Sequence, residues 1–374
     1  MKHKEENMIR NNRAREVAEM LSRQLFAEGR FDNAPGGSGT LAAAAAGAAL
    51  PLSDVAFSGV SIQAIGYEVD GGNESTVHIY VSQGTVAAIR GLETEYEGVK
   101  IRANKMASLR VNPQLAAKST NRGNLFVRAG RIACGSSCAP SGEQYSGTFG
   151  ALISDNANQI YGLSNNHVIA ACNHVAVGMP ILAPSTMDSH PTLPAPREIG
   201  RHSAIVELRS GEPNLVPEAK VDAAAAFVPE PTVVTSWQGD LNQGYDTPTN
   251  TVTPSSGMQV KKWGRTTGLT TGVVEAQLVR LPLPYKTRHF TATVYFKDVW
   301  TIRSTNADSF ALPGDSGSLV VTEDGQHAVG LIFATTTTAS NSYGVMVPID
   351  DVLADLHNGG GMLGPLRILG NHGL

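Results

Sequence analysis

Ala311-Leu312-Pro313-Gly314-Asp315-Ser316-Gly317-Ser318-Leu319-Val320-Val321 sets a Gly-Asp-Ser-Gly turn between a proline-terminated loop and an apolar strand. A serine that attacks a carbonyl needs its hydroxyl on a tight turn, backbone N–H groups aimed at the developing oxyanion, and small neighbours that leave room for the substrate. Gly314-Asp315-Ser316-Gly317 supplies all three, with the N–H groups of Gly314 and Ser316 as the oxyanion donors. Gly, Asp and Ser are also common in ordinary turns. Four residues do not separate those readings, so the rest of the chain must.

Outward from that turn, the C-terminal two thirds reads as strand, turn, strand. The chain has 39 glycines and 20 prolines, a composition suited to many short strands. Gly147–Ser154 and Gln159–Ser164 pair around the turn 155–158, and the second strand runs directly into Asn165-Asn166-His167-Val168. A lone histidine there is otherwise a hydrogen-bonded structural residue. Lys220–Val228 is an apolar strand with one acid, Asp222, near its start. A carboxylate leading into a buried strand needs a partner, because an unpaired buried charge is costly. Further strands are predicted at 204–208, 257–264, 291–296, 299–302, 318–322, 328–334 and 343–348, with a strand-and-turn run over 265–278 and a short helix over 349–356.

The 374 residues suggest two domains, or one large domain with an extension. A helix is predicted over 8–31, where Val17, Leu21 and Leu25 share a face; it serves to dock a partner or another copy, or packs on its own chain. The expected divisions are an N-terminal helix (1–33), a Gly/Ala-rich linker (34–54), a small α/β domain (55–130) with a Gly71–Asn73 hairpin turn, a catalytic domain (131–358) and a flexible tail (359–374).

A net charge of −4 with 17% charged residues gives no basic field for nucleic acid, and no segment approaches ~18 consecutive apolar residues, so neither nucleic acid nor membrane is an expected partner. Met1–Arg15 mixes charges of both signs and does not read as a secretory signal. Three cysteines, Cys134, Cys138 and Cys172, point to a reducing, cytoplasmic compartment. Cys134 and Cys138 lack a second pair at ligand spacing, so no metal is expected; no nucleotide motif is present, and no cofactor is expected.

His167, Asp222 and Ser316 follow one another at spacings of 55 and 94 residues, each in the local setting its role requires. In this order, and with these motifs, the chain resembles the trypsin/chymotrypsin-like serine peptidases. Leu163–Val168, Val221–Ala224, Lys262–Gly272 and Gly314–Ser318 resemble most the NAL1-like branch of bacteria and plants, which also tends to carry a small α/β segment ahead of the peptidase. The resemblance implies a mainly β, chymotrypsin-like double six-stranded antiparallel β-barrel, preceded by the α/β segment and helix, with the site between the barrels.

It implies Ser316 as nucleophile, His167 as general base then acid, Asp222 as the residue orienting the imidazole, and Gly314 and Ser316 N–H as the oxyanion hole. Asp315 would hold the oxyanion loop through a partner the sequence does not name. The specificity pocket would involve Phe310 at its base and Ala334, Thr335 and Thr336 on its wall, favouring a small neutral or apolar side chain. Val168 replaces the family's usual cysteine after the histidine, in keeping with a reducing compartment, and Cys172 reads as a buried thiol. The expected activity is a serine endopeptidase acting on a limited set of protein or peptide substrates. An open intracellular peptidase would be hazardous, so control by assembly as a homo-oligomer or by a regulatory partner at the N-terminal region is expected, as is a place in a stress or phage-defence pathway. The alternative is a catalytically silent, peptidase-like peptide-binding scaffold.

Overall fold

The computed structural model describes residues 2–32, 60–69, 75–113, 125–306, 308–336, 342–360, 362 and 364–374. The expected linker and the Gly71–Asn73 turn lie outside them. The chain opens with α1 (Lys2–Ala27), which ends where Gly29 takes a positive φ of 66°. Then come β1 (Ser61–Tyr67), β2 (Thr76–Gln83), α2 (Val86–Arg90), β3 (Thr94–Tyr96), β4 (Val99–Lys105) and the two-residue β5 (Leu109–Arg110). β1 and β2 are antiparallel, whereas β2 and β4 are parallel. The helix packs on its own chain: Val17, Leu21 and Leu25 are buried with Ile65, Ile79, Val81 and Ile101. This is what a helix with one apolar stripe does when a sheet face is available.

β6 (Val127–Arg128) and β7 (Arg131–Cys134) form a small sheet that later receives β15 (Val234–Gln238) and β16 (Tyr245–Asp246). Between them lies the first barrel: β8 (Ser137–Pro140), β9 (Gly147–Thr148), β10 (Ala151–Ser154), β11 (Ile160–Ser164), the one-turn α3 (Asn166–Ile169), β12 (Pro180–Ala183), β13 (Arg197–Ile205) and β14 (Ala224–Phe227). β9 and β10 are halves of one stretch that bends at Phe149-Gly150. Antiparallel pairing runs β8–β9, then β10–β11–β14–β13–β12 and back to β8, which closes a six-stranded ring. Phe149, Leu152, Val168, Ile181, Ile199, Ala224 and Ala226 fill it.

After β17 (Asn250–Thr251), the second barrel follows: β18 (Gln259–Gly264), β19 (Gly268–Lys286), β20 (Thr291–Phe296), β21 (Val299–Ser304), β22 (Leu319–Thr322), β23 (His327–Thr336) and β24 (Tyr343–Pro348). The ring β18–β19–β21–β24–β23–β22–β18 is antiparallel throughout and closed. The protein is thus mainly β with the chymotrypsin-like double-barrel arrangement. β19 extends beyond its barrel: its middle pairs with β1, which joins the N-terminal sheet to the second barrel, and its far end pairs with β20 as a protruding hairpin. α4 (Ile349–Gly360) packs against β23 and β24 of this barrel and β13 of the first.

Residues 364–374 differ from the flexible tail expected. β25 (Arg367–Ile368) pairs with β10, Leu366 and Ile368 are buried, and the His372 carbonyl accepts from Thr235 Oγ1 at 2.9 Å. Apolar side chains at the end of a glycine-rich run hold it to the first barrel.

Candidate active site

The bend between β9 and β10 is where the barrels meet. Gly150 lies directly against the backbone of Gly317, and Gly317, at φ 95°, lies against Thr148 O and Ser164 Oγ, so a Cβ at either position would collide. The Thr148 N–H donates to Ser316 O at 2.8 Å. The two glycines therefore let one barrel's loop touch the other's.

His167 sits in α3, fully buried at 1% exposure. Its Nδ1 lies 2.6 Å from Asp222 Oδ2, and its own backbone N–H reaches Asp222 Oδ1 at 3.2 Å. With the Nδ1 proton given to the carboxylate, Nε2 is left with its lone pair, the tautomer a general base requires. The turn behind it is strained and heavily tied. Ala171, Cys172 and Asn173 all have positive φ, while Asn166 and Asn173 exchange side-chain bonds: Asn166 Nδ2 donates to Asn173 Oδ1 (2.7 Å) and the Asn173 N–H to Asn166 Oδ1 (2.9 Å). Asn165 Nδ2 donates to the Asp222 carbonyl at 2.7 Å. This accounts for the two asparagines before the histidine.

Asp222 is completely buried and takes a further donor, the Tyr285 hydroxyl at 2.7 Å, delivered by the protruding hairpin. Burial, and then the Asp222 charge, hold the Tyr285 phenol well above its ordinary pKa, so it remains a donor. Sequence reasoning missed Tyr285, which is 63 residues from its partner and carries no local signal. Cys172 packs nearby, its thiol pushed up by burial and by Asp222.

Ser316 is half-buried, and its hydroxyl donates to Phe333 O at 3.4 Å; a bond to His167 is not among those formed by the described residues. The loop around it fixes the two expected oxyanion donors through their partner carbonyls. Pro313 O accepts from Thr266 Oγ1 (2.9 Å), and Asp315 O from Ser318 N (3.0 Å) and Ser318 Oγ (2.6 Å). In planar trans peptides, anchoring these carbonyls also fixes the N–H groups of Gly314 and Ser316, which point the opposite way. Ser318 thus gains a role that the motif alone did not reveal.

Asp315 has the partner the sequence left unnamed. It is buried beside Lys262 (Nζ to Oδ2, 3.6 Å) and accepts from Thr266 N, Thr267 N, Thr267 Oγ1 and Leu312 N at 2.7–3.1 Å. Burial lowers the Lys262 pKa, and Asp315 pulls it partly back. Next to this pair, the Arg265 Nε donates to Asp188 Oδ2 at 2.8 Å, with both side chains buried; Ser137 and Ser146 also donate to that carboxylate. Burial alone would raise the Asp188 pKa, but Arg265 and the serines bring it below the ordinary carboxylate value.

Phe310 differs from the pocket base expected of it. Phe310 is wholly buried among Val260, Val274, Ile302, Ile332 and Met346, inside the second barrel, because Gly272 and Gly344 leave room for its ring there. Ala334, Thr335 and Thr336 lie on β23 and are buried too. All three cysteines are buried and unpaired. No described helix is long and apolar enough to cross a membrane.

No family model and no curated protein matches the chain. Among solved structures it is similar to Thermobifida fusca protease A (16% identity, 64% of this chain and 100% of that one, TM-score 0.41). It is also similar to a Nocardiopsis protease (18% identity, 63% and 97%, TM-score 0.40) and to Cellulomonas bogoriensis chymotrypsin (14% identity, 63% and 97%, TM-score 0.40). The fold assignment rests on the strand order of the chain itself.

Proposed function

We propose that the protein is a serine endopeptidase working through Ser316, His167 and Asp222 by an acyl-enzyme route. The single observation that carries this reading is the buried His167–Asp222 pair at 2.6 Å, in a chain whose Gly-Asp-Ser-Gly loop has its Gly314, Asp315 and Ser316 carbonyls each held by a donor. A structural histidine needs one partner, not a buried carboxylate held by three donors.

In this reading Ser316 Oγ turns from Phe333 O to His167 Nε2, loses its proton to it and attacks the scissile carbonyl. The Gly314 and Ser316 N–H groups hold the oxyanion, and His167 returns the proton to the leaving amine. Asp222, supported by Tyr285 and the His167 N–H, fixes the ring and stabilises its cation. Water then releases the acyl group by the same steps. Placement in the NAL1-like branch rests on the four motifs. A cytoplasmic setting is supported by three buried free thiols, with burial holding Cys138 up to about 12. A limited substrate set is supported by the buried state of His167.

Fluorophosphonate labelling of the purified protein tests the reading. Labelling should vanish in Ser316→Ala and slow by about 10⁴-fold or more in His167→Ala, with Asp222→Ala also severely slowed. Labelling that persists in Ser316→Ala, or that ignores His167→Ala, would sink it.

A further inference from the structure

β23 leaves its neighbour β22 after Leu331, and its freed edge passes the candidate nucleophile. Gly317 N donates to Ile332 O, and Ser316 Oγ to Phe333 O. Two residues further on, the same edge is occupied. β5 pairs with it antiparallel, Arg110 opposite Thr335 and Leu109 opposite Thr336. β5 therefore runs toward Ser316. The next residue, Val111, is gripped from the other side by the hairpin: its N–H donates to Pro284 O, its carbonyl accepts from Lys286 N, and it lies opposite Tyr285. Leu109 and Val111 are buried in the cluster that holds Tyr285, Cys172, Phe333 and Ala334. The Leu109 N–H is tied to Gln63 Oε1 at 2.8 Å, and Pro113 is buried as well.

A peptide binds such a free edge by adding a strand, with main-chain bonds giving affinity and alternate side chains giving specificity. We propose that Leu109–Asn112 occupies the strand position of a peptide substrate, so that the resting protein inhibits itself. The strand must leave before a protein can be cut. The occupant also states what the cleft accepts: an extended segment with apolar side chains two residues apart, as in Leu109-Arg110-Val111. This deepens the peptidase reading and rests on it for its functional meaning.

Two variants loosen the strand without touching the triad. Gln63→Ala removes the acceptor of the Leu109 N–H, and Arg110→Pro removes a backbone donor at a residue whose side chain is exposed. Each is checked for cooperative thermal unfolding. Cleavage of fluorescent casein should rise by about tenfold or more, because the binding-competent fraction rises. Amide exchange at Thr335 and Thr336 should quicken, and a synthetic Met-Ala-Ser-Leu-Arg-Val-Asn peptide should inhibit the variants more than the wild type. Folded variants that label with fluorophosphonate as the wild type does, yet gain no casein cleavage, would overturn the proposal. If nothing labels, the peptidase reading fails by itself. Fluorescence anisotropy of the same peptide on Gln63→Ala/Ser316→Ala then decides the occupancy: tighter binding than to Ser316→Ala upholds it, and equal binding removes it.

Discussion

Tyr285 donates to the carboxylate that orients His167, yet it comes from a hairpin outside either barrel's ring. A hydrogen bond to a charged group is worth about 1.5–3 kcal/mol, so Tyr285→Phe should lower kcat by roughly tenfold to a hundredfold. KM for a small ester should hold, since the phenol acts through Asp222. Steady-state kinetics checks this, and an unchanged kcat would show that the hydroxyl only fills space. The oxyanion loop makes a parallel case. Thr266→Ala frees the Pro313 carbonyl and should cost about tenfold in kcat, less than deleting a donor outright, whereas Ser318→Ala leaves the Asp315 carbonyl its bond from the Ser318 N–H and should cost less. At this scale much could be read from sequence. His167, Asp222 and Ser316 each carry their setting in adjacent residues, whereas Tyr285, Thr266 and Lys262 matter only through distant partners. Phe310 shows the converse: counting back from the nucleophile located a residue but not the direction of its ring.

Among the elements, strands of β-branched and aromatic residues were visible in their alternation, and so was the apolar stripe of α1. Which strand pairs with which was not. Nothing in the run of β1 names β19 as its neighbour, and a two-residue strand such as β5 has no period to detect. β25 escaped for the same reason. The stripe of α1 yields a stability prediction. Leu21 is 1% exposed beneath the helix, so Leu21→Ala should cost about 2–5 kcal/mol in denaturant unfolding. If the N-terminal sheet unfolds as one unit with the second barrel, as their shared β19 requires, the transition should stay single and move to lower denaturant. A new early step would show the two to be separable.

Across the whole molecule, the Asp188–Arg265 pair joins a loop of the first barrel to the turn between β18 and β19 of the second, and Arg265 Nη1 donates to Thr266 Oγ1 at 3.2 Å. The folded pKa of Asp188 is lowered, so its stabilising effect is present above the unfolded carboxylate value near 4 and disappears as pH falls through the folded value. Asp188→Asn leaves Arg265 buried without its counter-charge and should cost about 3–5 kcal/mol at neutral pH. The gap from wild type should narrow below about pH 4, as Asp188 itself takes up a proton. Thermal unfolding across pH measures both, and a gap constant with pH would remove the ion pair from the account. The path of β5 between β19 and β23 has a consequence for synthesis. A ribosome releases residues 109–112 long before either flanking strand exists, just as Tyr67 waits 210 residues for Gln277. Under the proposed occupancy, the cleft is built around a chain already present, and the nascent protein passes through no interval in which a finished site stands open to its neighbours.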